Sequence, residues 1–281
     1  VIIDNHTHTL IRMALEEDLG DRGDLTSLAT LPPNSTITGR ITAKAIGVIA
    51  GLAIVDAVYE VIDPTVKVTH AVKDGQAVEA GTLIAEVAGS SHAVLAGERI
   101  ALNFLQRLSG VATLTAQFVQ AVSETHTMIL DTRKTTPGYR MLEKYAVKMG
   151  GGQNHRIGLH DMILIKDNHI DAAGGVTPAI QAALAYEIKA PIVVEVKNES
   201  ELREALAFPI TRILLDNMTT DQMRQAVAIT AGRVPLEASG NMTLTRVKEV
   251  AHTGVNYISV GALTHSAPAL DLSMRLSPIQ R

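Results

Sequence analysis

The sequence predicts an α/β protein whose C-terminal half is a parallel sheet wound with helices. Two observations carry this. Beyond Gly110 the chain repeats one unit: a short β-rich apolar run, a charged or small residue, then a helical pattern. About six runs fit, "MILDT", "MILIK", "IVVEV", "RILLD", "PLEAS" and "YISVG". Before Gly110, strand-like and helix-like stretches come in mixed order, which marks a separate region. Strict alternation calls for parallel strands and right-handed crossovers, in either a barrel or an open doubly wound sheet.

From the start, "THTLIRMALEEDLG" predicts a helix from Thr7 to Leu19 with an apolar face at Leu10, Met13 and Ala14, stopped by Gly20. "DRGDLTSLATLPPNS" reads as loop, because glycine, aspartates and paired prolines break regular structure. "TGRITAKAIGVIAG" has strand character, Ile54 to Ile62 is helical, and Lys67 to Val87 returns to strand with a turn at "KDGQ". The long segment from Ser90 to Glu124 fits one or two helices. In the alternating half, helices are expected at 138–149, 177–188, 200–207, 220–231 and 243–250, and the tail from Ser266 to Arg281 also reads as helix. These patterns divide the chain into residues 1–110 and 111–281, with the packing of the C-terminal helix on either domain, including back on the first, left open.

Composition narrows the function classes. A net charge of −4 lacks the strongly basic field of a nucleic-acid binder. With no cysteine, disulfides, thiolate zinc sites and a cysteine nucleophile are excluded. The apolar stretch "GVIAGLAIVDAVYEVI" is interrupted by Asp56 and Glu60 at helical spacing, so it reads as an amphipathic helix and not a membrane span. The opening lacks the basic start and long apolar core of a signal peptide, and a cytoplasmic protein is expected.

Each late apolar run gives way at its C-terminal end to chemistry, and in a parallel barrel those ends converge on one mouth. Arg133 and Lys134 follow the first run, and His155, Arg156 and Lys166 accompany the second. Together they form a cationic cluster that repels itself unless an anion is bound. Glu195 and Asp216, ending neighbouring runs, can hold Mg²⁺ or sugar hydroxyls. "EASGN" and "SVGALTH" offer backbone N–H groups at Ser239, Gly240, Asn241, Gly261 and Ala262, as a phosphate requires. The run Gly150 to Gly152 is expected to end a helix and to act as a mobile cover carrying His155 and Arg156. An H-x-H at His6 and His8 is set aside as a metal motif because no later strand ends in histidine. "VKDGQAVEAGTLIAEV" lacks the central lysine of a biotinyl or lipoyl carrier and reads as a plain hairpin.

Long stretches resemble one family. "EDLGDRGDLTS", "GERIALNFLQRLSGVATLT", "DTRKTTPGYRMLEKYAVKMGGGQNHRIGLHDMILIKDNHI", "VEVKN", "LLDNM", "EASGN" and "SVGALTHSAPALDLSMRL" are similar to the quinolinate phosphoribosyltransferases. The resemblance implies an incomplete parallel α/β barrel of about six strands preceded by an N-terminal α/β sandwich domain, in a homodimer where Arg99 is donated across the interface. It implies transfer of phosphoribosyl from phosphoribosyl pyrophosphate to quinolinate, with decarboxylation and with Mg²⁺ as cofactor. On this resemblance Arg99, Arg133, His155, Arg156 and Lys166 face the two carboxylates of quinolinate. Lys134 meets the pyrophosphate, while Glu195 and Asp216 hold ribose hydroxyls or the metal. Ser239, Gly240, Asn241, Gly261 and His265 hold the remaining phosphate, and Lys166 or a water returns a proton after decarboxylation.

Overall fold

The computed structural model describes residues 3–278. In chain order it places α1 (Asn5–Leu19), α2 (Leu25–Thr30), β1 (Thr36–Ala43), β2 (Gly47–Val48), α3 (Leu52–Ile62), β3 (Lys67–His70), β4 (Ala77–Val78), β5 (Leu83–Ser90) and α4 (Ser91–Ala121). Then come β6 (Met128–Leu130), α5 (Arg140–Met149), β7 (Ile163–Ile165), α6 (Asp167–Ala173), α7 (Val176–Ala185), β8 (Ile192–Val196) and α8 (Glu199–Ala205). The last described elements are β9 (Arg212–Asp216), α9 (Thr220–Thr230), β10 (Leu236–Ser239), α10 (Leu244–Ala251), β11 (Tyr257–Ser259), α11 (Ala262–His265) and β12 (Leu272–Leu276).

Two compact units form. The first takes the described residues up to Leu114, then residues 136–151 and the described residues from Ala267 onward. Its main sheet is antiparallel in the order β12-β1-β5-β3. Along β1 the side chains alternate between core and surface, burying Ile37, Ile41 and Ala43. Helices α3 and α4 approach closely at Gly97, where a Cβ would stand 2.6 Å from the Tyr59 ring. The Tyr59 hydroxyl donates to the Val94 carbonyl, so the buried ring keeps a polar partner.

Two sequence expectations change here. The "GDLTSLATLPP" loop contains helix α2, because Asp24 accepts from the Thr26 and Ser27 N–H groups and starts it. The expected C-terminal helix is the strand β12, whose backbone pairs with the otherwise open edge of β1 from Gly39 to Ala43. Residues 279–281 of that segment lie outside the described residues. Residues 136–151 and the tail from Ala267 group with the first unit. The tail is held by the β12–β1 pairing, and residues 136–151 by one buried carboxylate. Glu143 on α5 accepts from Arg107 Nη2 at 2.6 Å, Arg107 Nε at 3.1 Å and the Thr136 hydroxyl at 2.9 Å, and Arg107 Nη1 also reaches the Ala267 carbonyl at 2.9 Å. Phe104 stacks on Tyr139 at 5.6 Å beside this network.

The second unit, residues 115–135 and 152–266, holds a parallel sheet in the order β6-β11-β10-β9-β8-β7. Strands β7 to β11 are neighbours in chain order, and the first strand, β6, pairs with the last, β11. A doubly wound sheet reverses its order at a switch point, and this one does not. The order is cyclic, with one pairing left unmade between β6 and β7, which makes it an incomplete barrel of six strands. Val193, Val194, Ile213, Leu215 and Ala238 are fully buried in its walls.

Because Glu143 is wholly buried, breaking its ion pair leaves a charge without compensation. Arg107→Met is expected to lower folding stability by about 3 kcal/mol, measured by denaturant unfolding. A loss below about 0.5 kcal/mol would assign the pair only the weight of a surface contact.

Candidate functional site

The period of two along β9 puts Arg212, Leu214 and Asp216 on one face, and along β10 it does the same for Glu237 and Ser239. That face is the barrel interior. Leu214, Asp216, Glu237 and Ser239 line a cavity of about 880 Å³ at the C-terminal ends of the strands, together with Arg133, Lys134, His155, Arg156, Lys166 and Glu195. The cavity also takes in Asn217, Gly240, Asn241, Thr243, Gly261, Ala262 and His265.

The cationic side is tightly braced. Asp131, buried just after β6, accepts from the His155 N–H at 2.8 Å and from Asn154 Nδ2 at 2.6 Å. The Gly150 to Gly152 run ends α5, as expected. The chain beyond it is not a loose cover, because Gln153 exchanges backbone hydrogen bonds with Ile129 and Asp131 at 2.8 and 3.1 Å. Arg156 is buried and donates Nη1 to the Met162 carbonyl at 3.2 Å. Burial, then the neighbouring Arg133, pushes its pKa down, and Asp161 partly offsets them. Lys134 is exposed, and its carbonyl accepts from the Thr264 hydroxyl at 2.8 Å. A Cβ at Gly261 would lie 3.0 Å from Lys134 Cδ and 3.2 Å from the His265 ring, so the glycine lets these two side chains approach closely.

Glu195 and Asp216 end adjacent strands, β8 and β9. Burial raises the Glu195 pKa, the Asp216 charge raises it further, and Lys166, with Nζ at 4.0 Å, acts the other way. Asn217 Nδ2 donates to Asp216 Oδ2 at 2.9 Å, which orients that carboxylate. Asn217 itself adopts φ 52° and donates its N–H to the Ser239 carbonyl at 3.1 Å. Gly240 has φ 104°, and a Cβ there would fall 2.0 Å from Asn217 Oδ1. The Asp216 and Ser239 ends are thus interlocked. Beyond them Thr243 caps α10 by accepting from the Arg246 N–H at 3.2 Å, leaving a helix N-terminus beside the glycine turn.

The structure therefore gathers all the expected residues of the barrel half, from Arg133 to His265, around one cavity. Arg99 does not line it and is exposed on α4. Sequence reasoning missed Glu237 and gave Asn217, at the end of its strand, no role of its own. An acid inside the apolar run "PLEAS" was a usable signal for Glu237, since a charge in a buried strand needs a partner. Asn217 carried no signal beyond adjacency to Asp216. Among the described residues no group of three or more His, Cys, Asp or Glu could hold a metal ion, and no helix is long and apolar enough to cross a membrane.

Comparison with known proteins agrees with this geometry. Residues 24–109 match the family described as "Quinolinate phosphoribosyl transferase, N-terminal domain", and residues 111–275 match its "C-terminal domain". The chloroplastic nicotinate-nucleotide pyrophosphorylase (carboxylating) of Arabidopsis thaliana is 42% identical over 286 residues, covering 95% of this chain and 82% of the relative. A probable nicotinate-nucleotide pyrophosphorylase (carboxylating) of Synechocystis is 45% identical over 267 residues, covering 93% and 90%. Among solved structures, the nicotinate-nucleotide pyrophosphorylase of Francisella tularensis superposes with a TM-score of 0.95 at 38% identity, covering 99% of this chain and 98% of its own.

Two outcomes follow from the local geometry. In Asp216→Asn one raising influence on Glu195 is gone, so its carboxyl is expected to lose its proton at lower pH than in the wild type, as followed by carbon NMR. An unchanged or higher titration would contradict the coupling. Gly240→Ala meets both the contact with Asn217 and a left-handed backbone, and is expected to cost about 1–3 kcal/mol in unfolding experiments.

Proposed function

Since the chain belongs to the quinolinate phosphoribosyltransferase family, we propose that it transfers the phosphoribosyl group of phosphoribosyl pyrophosphate to quinolinate. The products are nicotinate mononucleotide, pyrophosphate and carbon dioxide, a step of NAD biosynthesis. One observation carries the reading. A single cavity sets a cationic wall of Arg133, Arg156 and Lys166 against two carboxylates and two glycine turns. This matches a ring dicarboxylate on one side and a ribose bearing phosphates on the other.

Quinolinate carries carboxylates on adjacent ring carbons, and arginine's planar fork suits each of them. Arg133, Arg156 and Lys166 hold this acceptor, with His155 in the same wall, and a second copy of the chain, in a homodimer, contributes Arg99. Lys134 neutralises the departing pyrophosphate as a mobile point charge. As that group leaves, the ribose carbon gains positive charge. Glu195 and Asp216 stabilise the charge and accept from the ribose hydroxyls. Backbone N–H groups of Ser239, Gly240, Asn241 and Gly261, with His265, hold the sugar's phosphate.

Glu195 and Asp216 also fit Mg²⁺, because two oxygen donors leave positions for waters and substrate phosphate, the arrangement this ion favours. When bound there it supplies further neutralisation of pyrophosphate charge. After transfer the pyridine nitrogen is cationic. The C–C bond to the neighbouring carboxylate breaks, carbon dioxide leaves, and the electron pair stays on the ring carbon beside that positive nitrogen. A proton then returns to this carbon, with Lys166 or a water as its source. Cytoplasmic residence belongs to the same reading, although relatives include proteins named as chloroplastic and mitochondrial.

The deciding assay mixes the protein with quinolinate, phosphoribosyl pyrophosphate and Mg²⁺ and follows nicotinate mononucleotide and carbon dioxide. Absence of both products ends the proposal, and turnover unaffected by a chelator removes the metal from it. Lys134→Ala and Glu195→Ala are expected to fold normally by circular dichroism while losing at least about a hundredfold in turnover. Wild-type rates in either variant would deny that residue its role.

A further inference from the structure

We propose that Glu237 is a positioning residue for the acceptor end of the cavity, fixing the His155 ring so that the adjoining Arg156 is presented to the substrate carboxylates. This rests on the reading of that end as the quinolinate site. The observation is a continuous polar column through the barrel interior. At its lower end, the Arg212 guanidinium, from the start of β9, lies 3.9 Å over the Tyr257 ring. Its Nη1 donates to Glu237 Oε2 at 2.7 Å, and the same oxygen is 3.3 Å from His155 Nε2. On the other side of the imidazole, Nδ1 accepts from the Arg156 N–H at 2.7 Å.

These contacts decide the tautomer. A backbone N–H can only donate, so His155 Nδ1 accepts and carries no hydrogen. The ring proton therefore sits on Nε2, where the Glu237 carboxylate receives it. Both ring nitrogens are used inside the protein. His155 thus serves the acceptor site by its rigidity, and the guanidinium next to it supplies the charge. The backbone is held separately by Asp131, which takes the His155 N–H, so ring and main chain are fixed independently.

Stability alone does not call for this arrangement. Glu237 has 0% exposure, and an apolar side chain of similar size in place of a buried ion pair is commonly as stable or more so. A negative charge below an anion site also works against binding unless it is neutralised, which Arg212 does. Burial acts to protonate Glu237, but the bonds from His155 and Arg212 outweigh it and hold the carboxyl below its ordinary range. The charge is therefore kept, and its use is to orient a hydrogen-bonded neighbour, as second partners of metal-ligating histidines do.

The test begins on the intact wild-type chain without substrate. Nitrogen NMR of labelled histidine, with His155 assigned by the spectrum of His155→Gln, is expected to show the Nε2–H tautomer. A ring protonated on Nδ1 overturns the proposal whatever the protein's activity. Glu237→Gln keeps the side-chain shape and is expected to raise KM for quinolinate about tenfold, leaving KM for phosphoribosyl pyrophosphate and the circular dichroism spectrum unchanged. Equal changes in both constants indicate a general structural role and overturn it, as does an unchanged quinolinate KM. Should Glu237→Gln not fold, Arg212→Lys keeps the charge but loses the planar fork and reads the same split. If the wild type lacks activity with quinolinate, the functional reading fails, while the tautomer result still decides whether the column holds the ring.

Discussion

Repulsion between like charges is the constraint around which the barrel half is organised. Arg133, Lys134, Arg156 and Lys166 line one cavity, and none can leave it because each is tied to a strand end or the loop beside it. Two arrangements make this tolerable. Lysines keep exposed heads, whose charge water screens, while Arg156 is buried and feels Arg133 directly. Acids are spaced between the cations at different depths: Asp131 and Glu237 wholly buried, Glu195 and Asp216 nearer the opening. The deep acids orient groups, and the shallow ones remain able to meet a ligand.

The sheet order makes that spacing possible. Parallel pairing sets Asp216 directly opposite Ser239, and Glu195 and Glu237 each opposite Leu214. A register slip of one residue turns every one of these side chains out of the interior. The registers are secured by fully buried neighbours such as Val194, Ile213 and Ala238. Burying each large aliphatic side chain contributes about 1.5–3 kcal/mol, so apolar packing carries the energy that holds the polar groups in line.

Much of this was legible beforehand. The runs "IVVEV", "RILLD" and "PLEAS" became β8, β9 and β10 with Glu195, Asp216 and Ser239 at or near their ends, because hydrophobic periodicity and strand termination are local properties. The cationic cluster was readable for the same reason. Helix α2 was hidden by prolines that in fact only end it, and β12 was hidden because its residues suit a helix until the edge of β1 is available to pair with.

What the sequence by itself determined is the alternation of strands and helices and the chemistry at each strand end, since both depend on neighbours a few residues away. The choice of an incomplete barrel over an open sheet belonged to tertiary structure, for it rests on β6 pairing with β11, which lie more than a hundred residues apart. The return of 136–151 and of the tail to the first unit was decided there too, by the buried Glu143 and the free edge of β1. So was the pairing of Glu237 with His155. A hydrogen bond between distant residues has no periodic signature in a sequence, and only the closing of the sheet brings its donor and acceptor within 3.3 Å.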